Sequence, residues 1–355
     1  MAERKLKTRT REEVKYEVDP PEEVIALRAQ LSQAEKRLTE YKAGVGSIQS
    51  AMRDIAESVL AMPQPKPFYK KPQVRKVKSP VALVVHFTDW QTGAVQDADE
   101  IEGINAYSPE IQRARLTHFV GDVLDWTELH RSSYYVDECR VLATGDFISG
   151  GIHDELRVTN EWPAPRQAVE AAYMLAENVS ALSAHFPKVV VEFLIVDNHG
   201  RLSKKPQHKE AGYNNHNYPL AVLAKEVLRA HENVEFNIYP RAMQVVEVKN
   251  RRYLLIHGHQ VMGWAGFPYY GLQRQVGKEA MKRMRTLQQR LMFYRVITGH
   301  WHAPLRHPWY WIGGSVSGTD AFDHEQGREA DPCQVAWFIH PKHGEFDETN
   351  WVLRE

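Results

Sequence analysis

"VVHFTDWQTG", residues 84–93, is an apolar run that breaks abruptly into Asp89, Trp90 and Gln91. The run reads as a buried strand, and the carboxylate at its end is either a turn former or the first ligand of a metal site. Which of the two it is depends on what the other strand ends carry. From Pro80 onward apolar runs recur at 81–87, 140–143, 189–196, 234–238, 243–248, 253–256, 295–298 and 335–340. Amphipathic segments lie near 109–130, 163–186, 217–231 and 271–294. Strands alternating with helices predict one α/β domain over residues 80–355.

In such a fold, ligands bind outside the carboxyl ends of strands. "VVHFTD" delivers Asp89, "RVLATGD" delivers Asp146, and "VEFLIVDNH" delivers Asn198 and His199. "YLLIHGH" delivers His257, and "YRVITGHWH" delivers His300 and His302. Each alone has a bland reading, because Asp often forms an Asx turn and a strand-end His is often only half-buried. Together, carboxylate, amide and imidazole donors at five strand ends suit Mn, Fe, Zn or a similar ion. The glycine before Asp146, and again before His300, permits a sharp turn toward the ions. Alternation in an extended "HWH" would place both imidazoles on one side and Trp301 on the other.

The order Asp-x-Gln, Gly-Asp, Asn-His, His and Gly-His-x-His resembles the calcineurin-like metallophosphoesterases, over about residues 80–345. The resemblance implies a four-layer α-β-β-α sandwich of two mixed sheets around a two-metal centre. It implies that Asp146 bridges two divalent ions, with Asp89, Gln91 and His302 on one and Asn198, His257 and His300 on the other. Mn is the first expectation, with Mg, Fe, Zn and Ni as alternatives. A metal-bridging hydroxide would attack phosphorus in line, between ions about 3.5–4 Å apart. His199 would stand unligated as the acid for the leaving oxygen. Two residues depart from the family pattern. Gln91 stands where a histidine is usual, and its amide is a weaker donor. Asp197 stands where a glycine precedes the Asn, and would add negative charge near the ions.

Substrate recognition is read from charge. After His199, "GRLSKKPQHKE" offers Arg201 as a catalytic-site phosphate contact, with Lys204 and Lys205 as substrate-binding residues, unless this is a solvated loop. On the segment "LQRQVGKEAMKRMRTLQQRL", Arg274, Lys278, Lys282 and Arg285 share a helical face that would track a nucleic-acid backbone or simply face water. The preceding "HGHQVMGWAGFPYYG" would stack on bases or pack as a lid. "GDFISGGIHDEL", "DNHGR" and "HPKHG" look like a subgroup found in tailed bacteriophages, described as similar to SbcD-type DNA-repair exonucleases. In that subgroup His153 and Asp154 would lie near the ions. Three functions stay open: a nuclease-like phosphodiesterase, a phosphatase or small-molecule or cyclic-nucleotide phosphodiesterase, and a non-catalytic oligomeric scaffold.

Residues 1–19 read as a basic flexible tail. Val24, Leu27, Leu31, Ala34, Leu38, Tyr41, Val45, Ile48, Met52, Ile55 and Val59 keep spacings of three and four. That pattern predicts a coiled-coil helix over 20–62 and a homo-oligomer through 24–59, the alternative being one helix packed on its own domain. Residues 63–79, rich in Pro and Lys, read as a stiff linker. Net charge is zero over 355 residues, so any charged partner must be met by a local patch. Two cysteines, Cys139 and Cys333, make no disulfide framework. With no apolar run near ~18 residues, no membrane is expected. The expectation is a cytoplasmic protein, in a bacterial host if phage-encoded.

Overall fold

A computed structural model describes residue 26 and residues 28–40, 78–263, 268–286 and 289–355. The chain divides into two units, Met1–Val74 and Arg75–Glu355. In the first, residues 28–40 form a helix, α1, that is exposed throughout. The rest of the expected coiled coil, the basic tail and residues 63–77 of the linker lie outside the described residues.

The second unit opens with β1 (Ser79–Phe87), α2 (Pro109–Arg131), β2 (Tyr134–Ala143), α3 (Leu156–Thr159), α4 (Ala164–His185), β3 (Val189–Leu194) and α5 (Asn217–Val227). It continues with β4 (Val234–Tyr239), β5 (Met243–Val248), β6 (Arg251–Ile256), α6 (Tyr269–Arg285) and β7 (Arg295–Thr298). It closes with β8 (Leu305–His307), β9 (Tyr310–Ile312), α7 (Ala321–Glu325), β10 (Cys333–His340) and β11 (Gly344–Val352).

These elements form two mixed sheets. The six-stranded sheet runs β11-β10-β1-β2-β3-β4, and the five-stranded sheet runs β5-β6-β7-β9-β8. In the first, β1 to β4 are parallel, β10 runs antiparallel to β1, and β11 runs antiparallel to β10. In the second, β6, β7 and β9 are parallel, with β5 and β8 antiparallel at the edges.

β1 shows why an unbroken apolar run marks a central strand. Val81, Leu83, Val85 and Phe87 join the core under α2, α4 and α5, while Ala82 and Val84 join a second core with Val246, Tyr253, Leu255, Ile297 and Trp311 of the other sheet. Both faces are covered, so both parities must be apolar. A third core, with Leu254, Ile256, Val296, Tyr310 and Leu272, fills the outer side of the five-stranded sheet against α6. Helix starts follow local chemistry. Ser108 caps α2 by accepting from Ile111 N at 3.3 Å, with Pro109 at the first turn, an arrangement worth about 1 kcal/mol.

Each of the eight runs read as strands forms one. β8 and β9 are three residues each, too short to show a period. β11 carries Glu345, Asp347 and Glu348 and is half exposed, as an edge strand is. The helix expected over 271–294 ends at Arg285. No described helix is long and apolar enough to cross a membrane.

Candidate metal centre

The parallel strands of both sheets deliver their carboxyl ends to one place. Asp89 follows β1, Asp146 follows β2, and Asn198 and His199 follow β3. His257 follows β6, and His300 and His302 follow β7. What lets the two sheets meet is absence of bulk. A Cβ on Gly299 would strike Thr88 Oγ1 and Asp89 Oδ2. Asp89, Gln91, Asp146, His300 and His302 all have left-handed backbones, with φ of 51°, 51°, 49°, 73° and 56°. Such angles cost non-glycine residues about 1–3 kcal/mol each and persist where the surroundings over-determine them, chiefly at functional sites. The "HWH" segment is therefore a left-handed turn and not the extended segment its alternation predicted. Trp301 still packs away, against the outer core of the five-stranded sheet.

Around Asp146 the donors converge. Its Oδ2 lies 3.0 Å from His257 Nε2, and Asn198 Oδ1 lies 2.9 Å from the same nitrogen. Asp146, His257 and His300 each offer a ligand atom within 4.8 Å of the others. His257 Nδ1 donates to Thr144 O at 2.9 Å, so that nitrogen holds the proton and Nε2 faces the carboxylate and the amide oxygen. Three lone pairs directed at one point call for a cation there. Burial lowers the His257 pKa, but Asp146 outweighs it and carries the ring up to about 9, the response to the same demand for positive charge. Burial would raise the Asp146 carboxyl; His257 and then His199 override it and hold it well below the usual range. The donor set fits a divalent metal ion.

A second grouping lies beside it. Asp89 is fully buried, accepts Thr88 Oγ1 at 2.7 Å and takes the His300 backbone N–H at 2.9 and 3.0 Å. Its Oδ1 lies 3.8 Å from His302 Nε2. His302 Nδ1 is 2.7 Å from Asp323 Oδ2, and Asp323 Oδ1 is 3.0 Å from Arg328. This is the arrangement in which a carboxylate fixes the tautomer and direction of a ligating imidazole. Asp320 stands close enough to His302 and Asp323 to be a further oxygen donor. Gln91 reaches the same ground, with Nε2 3.5 Å from Asp146 Oδ2.

His199 stands apart from these donors. Its Nδ1 donates to Ser149 O at 2.6 Å, and Nε2 of this partly buried side chain lies 3.9 Å from Asp146 Oδ2. The orientation leaves Nε2 free to carry a proton to or from a bound substrate.

Asp197 does more than its position suggested. It is buried, accepting Asp146 N at 2.6 Å, Gly200 N at 2.9 Å and Asn215 Nδ2 at 2.9 Å, and also bonding Asn217 Nδ2. It organises the Asp146 and His199 loops, and its charge also acts on the His257 ring.

Arg201 lies in the segment after His199 and lines a cavity of about 250 Å³, with Lys204. Lys204 also pairs with Asp154. The His153 ring lies 6.1 Å from the His199 ring, tilted at 59° to it. Lys205, Arg274 and Lys278 are exposed and stand outside the hydrogen-bond network of the centre among the described residues. A larger cleft, about 410 Å³, is lined by Glu110, Arg113, Trp162 and Met174 and by none of the centre's residues. Sequence reasoning missed Asp323, Asp320, Asn215, Asn217 and the half-buried His259, whose ring is 5.6 Å from His257. Only His259, in "HGH", carried a signal that a reader could have used.

No family model matches the chain, and no curated protein matches it. Among solved structures it is similar to a zinc-complexed Vps29 from Entamoeba histolytica, at 12% identity, 76% of this chain, 98% of that chain and a TM-score of 0.25. It is similar to Vps29 from Chaetomium thermophilum, at 10% identity, 77% and 99% coverage and a TM-score of 0.27. It is also similar to a conserved protein of Streptococcus pneumoniae described as a predicted phosphoesterase, at 12% identity, 52% and 91% coverage and a TM-score of 0.24. Overlaps this loose assign no family, and the reading below stands on the geometry of the centre.

Proposed function

We propose that the chain is a metal-dependent phosphoesterase of the calcineurin-like kind, hydrolysing phosphodiesters and acting first on nucleic acid. The observation that carries this is the approach of Asp146 Oδ2 and Asn198 Oδ1 to His257 Nε2, at 3.0 and 2.9 Å, with His300 beside them and the Asp89–His302 pair adjoining. Three cores in series, helix–sheet, sheet–sheet and sheet–helix, support the four-layer sandwich.

Asp146, Asn198, His257 and His300 would hold one divalent ion, and Asp89, Gln91 and His302 the other, with Asp146 shared and Mn the first choice. Bound there, such ions supply Lewis-acid activation and neutralise charge developing on phosphorus. The chain's own work is to fix the donors and manage a proton. Thr144 O sets the His257 tautomer, and Asp323 directs His302. Ser149 O holds the His199 Nδ1 proton, leaving Nε2 to protonate the departing oxygen.

The nucleic-acid reading draws on the exposed basic face of α6, with Arg274, Lys278 and Arg285. Self-association through 24–59 belongs to the same proposal. Leu31 and Leu38 stand exposed one heptad apart on α1, and removing residues 1–62 should lower the mass measured by light scattering.

The deciding experiment is a panel with added Mn: a phosphomonoester, a simple diester, a cyclic nucleotide, and single- and double-stranded DNA and RNA. Hydrolysis of the diester and at least one nucleic acid is expected. Cleavage of monoesters alone would replace the reading with a phosphatase, and no turnover with no bound ion would make the chain a scaffold.

A further inference from the structure

The cavity beside His199 has a chemistry of its own. It is walled by Arg157, Asn160, Trp162, Arg201, Lys204 and His216, and its lining includes three cationic side chains, of which Lys204 pairs with Asp154 outside the lining, and no acidic one. Arg201 and Asn160, both in the lining, each carry one buried polar atom without a partner, Nε and Oδ1. The cationic groups are held in place by the loops themselves. Arg157 Nε donates to Gly151 O at 2.9 Å, Arg201 donates to Lys204 O at 3.2 Å, and Asn160 Nδ2 donates to Gly150 O at 2.7 Å. The same loops build the centre. Ser149 O holds His199, and Gly150 packs so tightly on the His199 carbonyl that no side chain could stand there. At about 250 Å³ the space is below the roughly 300–1,000 Å³ of pockets for drug-sized ligands. It suits one phosphate with part of its sugar.

We propose that this cavity is a subsite for a second, non-reacting phosphate of the substrate, the one adjoining the phosphate at the metal centre. The proposal rests on the phosphoesterase reading and narrows it to substrates carrying neighbouring phosphates. Two sources supply that chemistry, a nucleic-acid strand and a free nucleoside diphosphate.

Calorimetry on the full metal-free chain tests the subsite without catalysis, with dependence on Arg157 marking binding in this cavity. Thymidine 5′-monophosphate should bind and thymidine should not. Arg157→Ala should weaken the nucleotide roughly ten- to hundredfold, the span expected for a lost charge-assisted hydrogen bond, and Arg157→Lys should recover part. Equal binding of the two compounds, or a nucleotide affinity unmoved by Arg157→Ala, overturns the subsite. With Mn present, KM for 5′-phosphorylated dithymidylate is compared with dithymidylate, and ADP with AMP. An Arg157-dependent gain in the first pair assigns the strand, and in the second pair the free nucleotide. No gain in either pair overturns the proposal. Absence of all Mn-dependent hydrolysis removes the phosphoesterase reading instead, and leaves the calorimetric result standing.

Discussion

The Asp197 carboxylate receives the backbone N–H of Asp146 at 2.6 Å, while its other oxygen holds Gly200 N and Asn215 at 2.9 Å. A residue that looked like an intrusion of charge is the bracket on which two site loops hang. Burial, and then Asp146, raise its carboxyl pKa, so the bracket carries a cost that its donors offset. Asp197→Gly strands two side-chain amides and two backbone N–H groups, and should cost about 3 kcal/mol or more in urea unfolding. Asp197→Asn should fall between that variant and the parent. A glycine variant that instead binds Mn more tightly would show that the charge, and not the bracket, is what matters.

The His302 pair with Asp323 makes a separable statement about metal affinity. Burial depresses this imidazole, but the hydrogen bond and charge of Asp323 carry it up to about 10. Asp323→Asn keeps the volume and removes the charge that fixes the ring. Mn affinity should drop roughly 10–100-fold, read by titration with an indicator dye, with little change in far-UV circular dichroism. An unchanged affinity would make Asp323 a partner of Arg328 alone.

His199 is expected to matter only where the leaving group needs a proton. His199→Ala should retain its metal content by elemental analysis and lose roughly 10²–10⁴ in kcat on alkyl phosphodiesters. Nitrophenyl diesters, whose leaving oxygen departs unprotonated, should be much less affected. Equal losses on both would remove His199 as the acid.

His86 makes the fold acid-sensitive. Its buried ring lies 2.7 Å from Thr144 Oγ1, and burial, then Arg306 and His257, depress its pKa from 6.5 to about 3. Between those values the unfolded chain binds a proton that the folded chain refuses. Stability is therefore intact above pH 6.5 and falls as pH drops through the window toward about 3. The urea midpoint of the metal-free chain should decline from about pH 7 to about pH 5, and less steeply in His86→Gln. Identical slopes would assign the sensitivity to other groups.

Much of this was readable beforehand, because the signals are local. A strand buried on both faces must be apolar at both parities, so β1 and β3 announce themselves. Their chain order and the polar residues just past their ends follow directly. The bracket and the orienting groups were not readable. Asn215, Asn217 and Asp323 sit 18, 20 and 21 residues from the groups they hold, in segments with no period of their own. The left-handed turns at His300 and His302 were hidden for the same reason, since "HWH" fits an extended segment equally well until Asp89 accepts the His300 N–H. Sequence alone determined the strands that carry the donors, the order in which they deliver them, and the chemical type of each donor. Tertiary structure decided which donors meet and which merely support. Direction in a buried polar network is set by the hydrogen bonds available across chain-distant loops, and no local pattern of residues encodes those.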